Sequence, residues 1–237
     1  MNQKRITSLD PVLINNWRWQ SFLDKAIHKL INLNVCPCEI PAQFLENQIS
    51  LGSSNNTKLV NISTWACTTN KIKIARAACL EANKIGSVLN FVITPKEIFD
   101  IPFLGADFVA LPNGYLIALD LQPALKSDEK HTQEVWNRLL PIYQKWKKLL
   151  PHGGPIPKEA EPYFSPCFLW TRVPIGDEGN ELISKVLKPA FREYLLLFLD
   201  LAIHSNEVNQ ERSLRILQGQ RDYMKYRIEK DPARGML

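Results

Sequence analysis

The residues of this chain best suited to chemistry are carboxylates and amides set inside apolar runs. In FLGADFVALPNGYLIALDLQ (103–122), Asp107 and Asp120 each interrupt an otherwise hydrophobic segment, and Asn90 interrupts SVLNFVITP (87–95). Aspartate is depleted in strands, and a buried charge without a partner is expensive. Strand side chains alternate between two faces. Asn90 therefore shares a face with Val88 and Val92, Asp107 with Val109 and Leu111, and Asp120 with Ala118 and Gln122. Two readings are open. These side chains bond backbone or water near strand ends, or they point into a cavity within a covered sheet. In the second case a desolvated carboxyl has a raised pKa and can serve as a general acid near neutral pH. A third carboxylate, Asp231, lies in EKDPARG (229–235), which reads locally as a turn.

Other chemistry is missing. There is no GxGxxG, no Walker loop and no HExxH, and Ser165 lies in no GxSxG elbow. Gly153-Gly154 is a turn, not a phosphate cradle. The 4 histidines (28, 131, 152, 204) are scattered, and the 5 cysteines (36, 38, 67, 79, 167) match no zinc or iron–sulfur spacing. Reduced cysteines in a reducing compartment are the expectation. No bound nucleotide, flavin or metal announces itself, so a redox enzyme built on this chain takes its electrons from outside.

The elements that must position these residues follow from periodicity. Asn113-Gly114 between two apolar runs predicts a two-residue hairpin joining strands Ala106–Leu111 and Tyr115–Gln122. Residues 59–67 and 87–95 read as strands, the second ended by Pro95; 71–84 fits strand, helix or both. The run 163–172 is strand-like, with Pro166 arguing for an edge or a bulge. Helical spacing marks Asn15–Leu33, Asp128–Leu150 (with a kink at Pro141), Gly179–His204 and Glu207–Arg227. NQISLGSSNNTK (47–58) reads as a polar, disordered loop. The fold class expected is α/β: one domain over 1–237, an antiparallel sheet with helices on both faces.

With 237 residues, 45% of them hydrophobic and 22% charged, the composition is that of an ordinary globular domain. No apolar run reaches the ~18 residues of a membrane-spanning helix; Asp200 interrupts YLLLFLDLAI (194–203). MNQKRITSLD has no apolar segment of a secretory signal, so the protein is expected to work where it is made. The leaning toward Lys, Asn and Ile suits an AT-rich genome such as a plastid's. A net charge of +5 is too mild and dispersed for nucleic acid. KWKK (145–148) and RDYMKYR (221–227) read as solvated helix faces, although a basic patch would suit an acidic protein partner.

Three stretches together, FLGADFVALPNGYLIALDLQPALK, LPHGGPIPKEAEPYFSPCFLWTR and GQRDYMKYRIEKDPARGML, resemble the ferredoxin-dependent bilin reductases, and the likeness runs from about Asp10 to Leu237 with 36–58 as its variable part. The resemblance implies an α/β/α sandwich that binds an open-chain tetrapyrrole between sheet and C-terminal helices. It implies no bound metal or organic cofactor, single electrons from reduced [2Fe–2S] ferredoxin, bilin radicals on the way, and a monomer. Asp107 matches the family's strand aspartate and Asp231 its C-terminal one, two acids that flank the pigment from opposite sides as proton donors. Asn90 falls where the phycocyanobilin-forming relative carries a histidine. That departure points to the phycoerythrobilin-forming branch and to reduction of the A-ring diene of 15,16-dihydrobiliverdin, with the preceding bilin reductase as a possible source of substrate. A sister activity on biliverdin, or a non-catalytic bilin carrier, are the alternatives. The pigment's propionates need cations: Arg172 and Arg234 are the candidates, with Lys225 and Arg221 behind them. Phe91, Phe108 and Leu169 are candidate apolar walls, although strand aromatics are more often plain core. The implied location is a plastid stroma or a cyanobacterial cytoplasm. The family's C-terminal motif continues past GML, so the chain is expected to be truncated at Leu237.

Overall fold

The computed structural model describes residues 5–51, 58–82, 85–156 and 158–230. Among these, eight strands form one antiparallel sheet. β1 (Cys36–Pro37) and β2 (Glu46–Leu51) both pair with β3 (Lys58–Thr68); then β4 (Ile72–Ala82), β5 (Gly86–Pro95), β6 (Phe103–Leu111), β7 (Gly114–Gln122) and β8 (Leu169–Val173) follow in chain order. Each strand from β3 to β8 pairs with the next in sequence, so loop closure is local until the long return to β8.

One face of the sheet is the main core. Phe91 of β5 and Phe108 of β6 are fully buried there. They meet Phe22 from helix α1 (Gln20–Ile31) and Phe191 from the later helix Lys188–His204; Phe22–Phe108 and Phe108–Phe191 centroids are 5.1 and 5.5 Å apart. Edge-to-face pairs of this kind add ~0.5–1.5 kcal/mol beyond the area they bury. After the short α2 (Ala42–Leu45) and the strands come α3 (Glu129–Lys147), α4 (Asp177–Leu182), α5 (Lys188–His204) and α6 (Gln210–Lys230). α6 lies on the opposite face, where Tyr223 packs on Phe103 with centroids 4.8 Å apart. Helices therefore cover both faces, as the sequence implies.

Four local expectations are corrected. The hairpin pairs Leu111 with Gly114, so Pro112-Asn113 are its two corner residues and Asn113 is not left-handed. Proline's fixed φ suits the first corner of an ordinary turn, and the primed turn expected of Asn-Gly is not used. Residues 47–51 are not loop but part of β2, a polar edge strand that β3 recruits by backbone pairing; residues 52–57 lie outside the described residues. α1 begins at Gln20, not Asn15. Strand β8 starts only at Leu169, because Glu161–Tyr163 forms a 3-10 turn and Pro166 cannot donate to a ladder. β8 pairs only with β7, so it is an edge, and β4 resolves the ambiguous stretch 71–84 as strand over 72–82. Between α4 and α5 a π turn spans Ile183–Leu187, next to Pro189, which has no N–H to return to Lys185.

α6 is fastened at its first half. Arg212 donates from Nε to Asp100 Oδ2 at 2.7 Å and grips Asp128, which caps α3 by accepting the His131 N–H at 3.2 Å. Further along, Gln220 donates to Pro95 O at 3.1 Å. Gly219 lets the helix touch the chain after β7: a Cβ there would sit 2.1 Å from the Ala124 carbonyl oxygen, a backbone atom with little freedom to yield. Gly219→Ala is expected to lower the unfolding free energy by roughly 1–3 kcal/mol. Urea midpoints check this, and an unmoved midpoint would show that α6 does not bear on Ala124.

Candidate active site

The second face of the sheet holds the polar residues singled out above. The register sets Asn90 directly opposite Asp107, Asp107 opposite Ala118, and Asp120 opposite Gly105. All of these point away from the Phe91–Phe108 core by alternation. Residues opposite one another in antiparallel strands have Cβ atoms ~5 Å apart, within reach of short polar side chains.

Asn90 and Asp107 are in contact: the Asn90 amide Nδ2–H donates to Asp107 Oδ1. The amide is oriented from its other end, because its Oδ1 accepts from an Arg76 guanidinium nitrogen at 2.8 Å. Arginine can only donate and a carboxylate only accepts, so these two neighbours leave one sensible amide orientation. Burial presses the Arg76 guanidinium below its ordinary pKa, and the nearby Arg227 adds to this while Asp107 opposes it. Arg227, from α6, approaches Asp107 Oδ2 at 3.8 Å from the other side.

Asp120 is 1% exposed. Burial pushes its carboxyl up to about 7, against the pull of Ser165, whose N–H (2.7 Å) and hydroxyl (2.5 Å) both donate to it. Gln122 lies beside Gly105 and accepts the Tyr223 hydroxyl at 2.6 Å. A cavity of about 60 Å³ opens here between sheet and α6, lined by Asp107, Asp120, Gln122, Phe164, Phe168 and Tyr226 among others. Its aromatic sides are prearranged: Phe164 and Phe168 stack at 4.0 Å, and Tyr163 stacks on Tyr226 at 4.4 Å. Beside the cavity the same face continues as a half-exposed shelf of Ala78, Leu80 and Val88.

Of the residues expected at a site, Asp107 and Asn90 are brought together, and Asp120 lines the same cavity as Asp107. Arg172 lies on the same face at the edge strand, exposed, with its guanidinium 5.9 Å from the Trp170 ring. Asp231 and Arg234 lie outside the described residues. Arg221 and Lys225 are exposed on α6 and do not line the cavity. Phe91, Phe108 and Leu169 are not walls of it. They are buried on the opposite face, because each has the opposite strand parity to its polar neighbour.

The sequence reading missed Arg76, Arg227, Gln122 and Tyr223. Arg76 was detectable as the one charge among small apolar residues in the centre of IKIARAACLEA. Tyr223, Tyr226 and Arg227, spaced i, i+3, i+4, form one helix face, which RDYMKYR hid because its charges dominate a composition count.

Residues 23–237 match the family model described as ferredoxin-dependent bilin reductase. Over 237 residues, 100% of this chain and 92% of the relative, the chain is 56% identical to a phycoerythrobilin:ferredoxin oxidoreductase of Prochlorococcus marinus (strain MIT 9211). It is 54% identical, over the same shares, to a protein of that name from Synechococcus sp. (strain WH8020). Among solved structures it is similar to phytochromobilin synthase from tomato in complex with biliverdin, with a TM-score of 0.77 and 27% identity over 92% of this chain and 76% of that one.

Proposed function

This chain belongs to the ferredoxin-dependent bilin reductases, and on that premise we propose that it reduces the A-ring diene of 15,16-dihydrobiliverdin to (3Z)-phycoerythrobilin, with Asp107 as a proton donor. The observation that carries the reading is the Asn90–Asp107 pair, a carboxyl oriented by an amide at the floor of an aromatic-sided cavity.

The chemistry follows from charge. One electron from reduced ferredoxin leaves a negative charge on the conjugated pigment, and a proton from Asp107 neutralises it. A second electron and a second proton complete the reduction. The second proton is assigned to Asp231, on the likeness of its DPARG motif to the family's C-terminal aspartate. Asn90 is an amide where the phycocyanobilin-forming relative has a histidine. It orients Asp107 without offering a proton of its own, which supports a single two-electron step over a four-electron one.

An open-chain tetrapyrrole is far larger than a cavity of about 60 Å³. It extends over the Ala78–Leu80–Val88 shelf, displacing the end of α6 from the sheet as it enters. The basic surface of the chain suits an acidic ferredoxin, and the chain is assigned to a plastid stroma or a cyanobacterial cytoplasm, where reduced ferredoxin is made.

The test is an anaerobic assay with a ferredoxin-reducing system, biliverdin and 15,16-dihydrobiliverdin in separate cuvettes, and products identified by absorbance and chromatography. Turnover of dihydrobiliverdin alone supports the reading. Turnover of biliverdin moves the chain to a sister activity, and binding without turnover makes it a carrier. In the same assay, Arg172→Ala is expected to weaken pigment affinity by the ~1.5–3 kcal/mol of a charge-assisted hydrogen bond to a propionate. Its exposed place beside Trp170 leaves that guanidinium available to a ligand, and an unchanged affinity would remove it from the site.

A further inference from the structure

Asp120 is the most deeply buried carboxylate on the site face, and the donor scheme of Asp107 and Asp231 makes no use of it. It and Asp107 are diagonal neighbours across β6 and β7, and both line the same cavity. A cavity of about 60 Å³ has room for waters bridging two carboxyls. We propose that Asp120 is the proton store of this site, passing a proton through cavity water to Asp107 each time Asp107 has protonated the pigment. This rests on the reading of Asp107 as donor.

The transfers balance without a further reagent. Asp107 gives its proton to the one-electron-reduced pigment and becomes a carboxylate. The Asp120 carboxyl gives its proton, by way of water, to that carboxylate. Asp120 is then recharged from bulk solvent. No electrons move in these steps; they come from ferredoxin.

The setting of Asp120 suits both of its states. As a carboxylate it is received by two fixed donors, the Ser165 N–H at 2.7 Å and the Ser165 hydroxyl at 2.5 Å. The hydroxyl hydrogen is committed to Asp120, since Ser165 Oγ itself accepts from the Cys167 N–H at 3.0 Å. As a neutral acid it is favoured by burial, which places its pKa at about 7. The charged and titratable groups around it are few. Lys126, after β7, draws the carboxyl down. The Cys167 thiol and the Tyr194 hydroxyl of α5 face it, each pushed up by burial. Asp107 on β6 and Tyr223, Tyr226 and Arg227 on α6 lie across the cavity. A carboxyl poised at the working pH both gives and regains a proton readily.

The experiment follows the dihydrobiliverdin reduction rate against pH for the full chain and for Asp120→Asn, Ser165→Ala and Asp107→Asn. The rate of the native protein should fall as pH rises through about 7, where Asp120 loses its proton. Asp120→Asn should be roughly tenfold slower or more at pH 6.5, with a profile flat between 6 and 8. Ser165→Ala removes a donor to the carboxylate, so the limb should move to higher pH. Infrared spectra of the unliganded protein should show a carboxyl stretch titrating near 7, lost in Asp120→Asn and kept in Asp107→Asn. A merely structural Asp120 would scale the rate or the melting temperature and leave the limb where it was. That result overturns the proposal, as does the absence of the titrating band. If Asp120→Asn does not fold, an unmoved limb in Ser165→Ala overturns it equally. Full activity in Asp107→Asn sinks the donor reading and the relay with it, whereas an inactive Asp107→Asn beside an unaltered Asp120→Asn profile sinks the relay alone.

Discussion

Asp107→Asn is expected to bind pigment as the native protein does and to lose the reduction, by the roughly 10²–10⁴-fold that a positioned general acid contributes. The substitution keeps volume and shape, so the cavity should not collapse. It replaces a group able to give up a proton with an amide that cannot. Locally, Asn90 loses the carboxylate that accepts its Nδ2–H, but an amide oxygen at 107 can accept the same bond after a flip. Arg227 loses an ion pair of 3.8 Å to a carboxylate whose side chain is 35% exposed. A pair so long and so exposed contributes little to stability. The loss should therefore appear in kcat and not in Kd, and the melting temperature should stay within a few degrees. Absorbance titration gives Kd, single-turnover rates with pre-reduced ferredoxin give the chemical step, and paramagnetic resonance reports a trapped pigment radical. Reduction at the native rate would remove Asp107 from the mechanism.

The polar half of this site was readable because it obeys period two. Asn90 and Asp107 interrupt apolar strands, the hairpin places β6 beside β7, and β5 precedes β6 with a short connection. Register then brings the two side chains opposite one another. Phe91 and Phe108, expected as cavity walls, went against the same rule: each adjoins a site residue in sequence, so each faces the other way and is buried in the core. The true walls were beyond such a rule. Phe164 and Phe168 come from an irregular segment whose conformation depends on Asp120 accepting two bonds from Ser165, a contact spanning 45 positions. Tyr226 and Arg227 reach the cavity from α6, which Arg212, Gly219 and Gln220 hold against distant parts of the chain. Strand β2 was hidden for another reason: ENQISL carries a loop's composition, and an edge strand held by backbone pairing with β3 needs little from its side chains.

Arg212→Ala should be the most destabilising of these substitutions. Arg212 is 8% exposed and joins two carboxylates, Asp100 and Asp128, to the start of α6. Asp100 also takes the His131 Nδ1–H at 2.5 Å, and the imidazole's other nitrogen accepts from the Ala124 N–H at 3.0 Å, so the ring proton is on Nδ1. Removing one partner of such a buried group leaves the other's charge uncompensated, at a cost of ~3–5 kcal/mol. Arg215, 2.8 Å from Asp128, offsets part of this. Against the ~5–15 kcal/mol of a typical domain the variant should still fold, near its limit.

The pH dependence distinguishes this cause from lost packing. The Arg212 hydrogen bond is the main reason the Asp128 carboxyl is held at about 2, below its ordinary 3.8. Asp100 is also held low, against its own burial, by His131 and Arg212. A depressed carboxyl contributes stability that is complete above its unfolded pKa and is lost as pH falls through its folded one. The Asp128 share is therefore present above pH ~4 and lost as pH falls toward ~2. Arg212→Ala removes it at every pH. The gap in unfolding free energy between native and variant should be widest above pH 4 and narrow as the solution is acidified, whereas a packing defect would leave the gap constant. The same network holds the first half of α6, so pigment affinity should fall with it even though no atom of Arg212 lines the cavity. Tyr223, Tyr226 and Arg227 are placed by the first half of the helix as rigidly as that half is held.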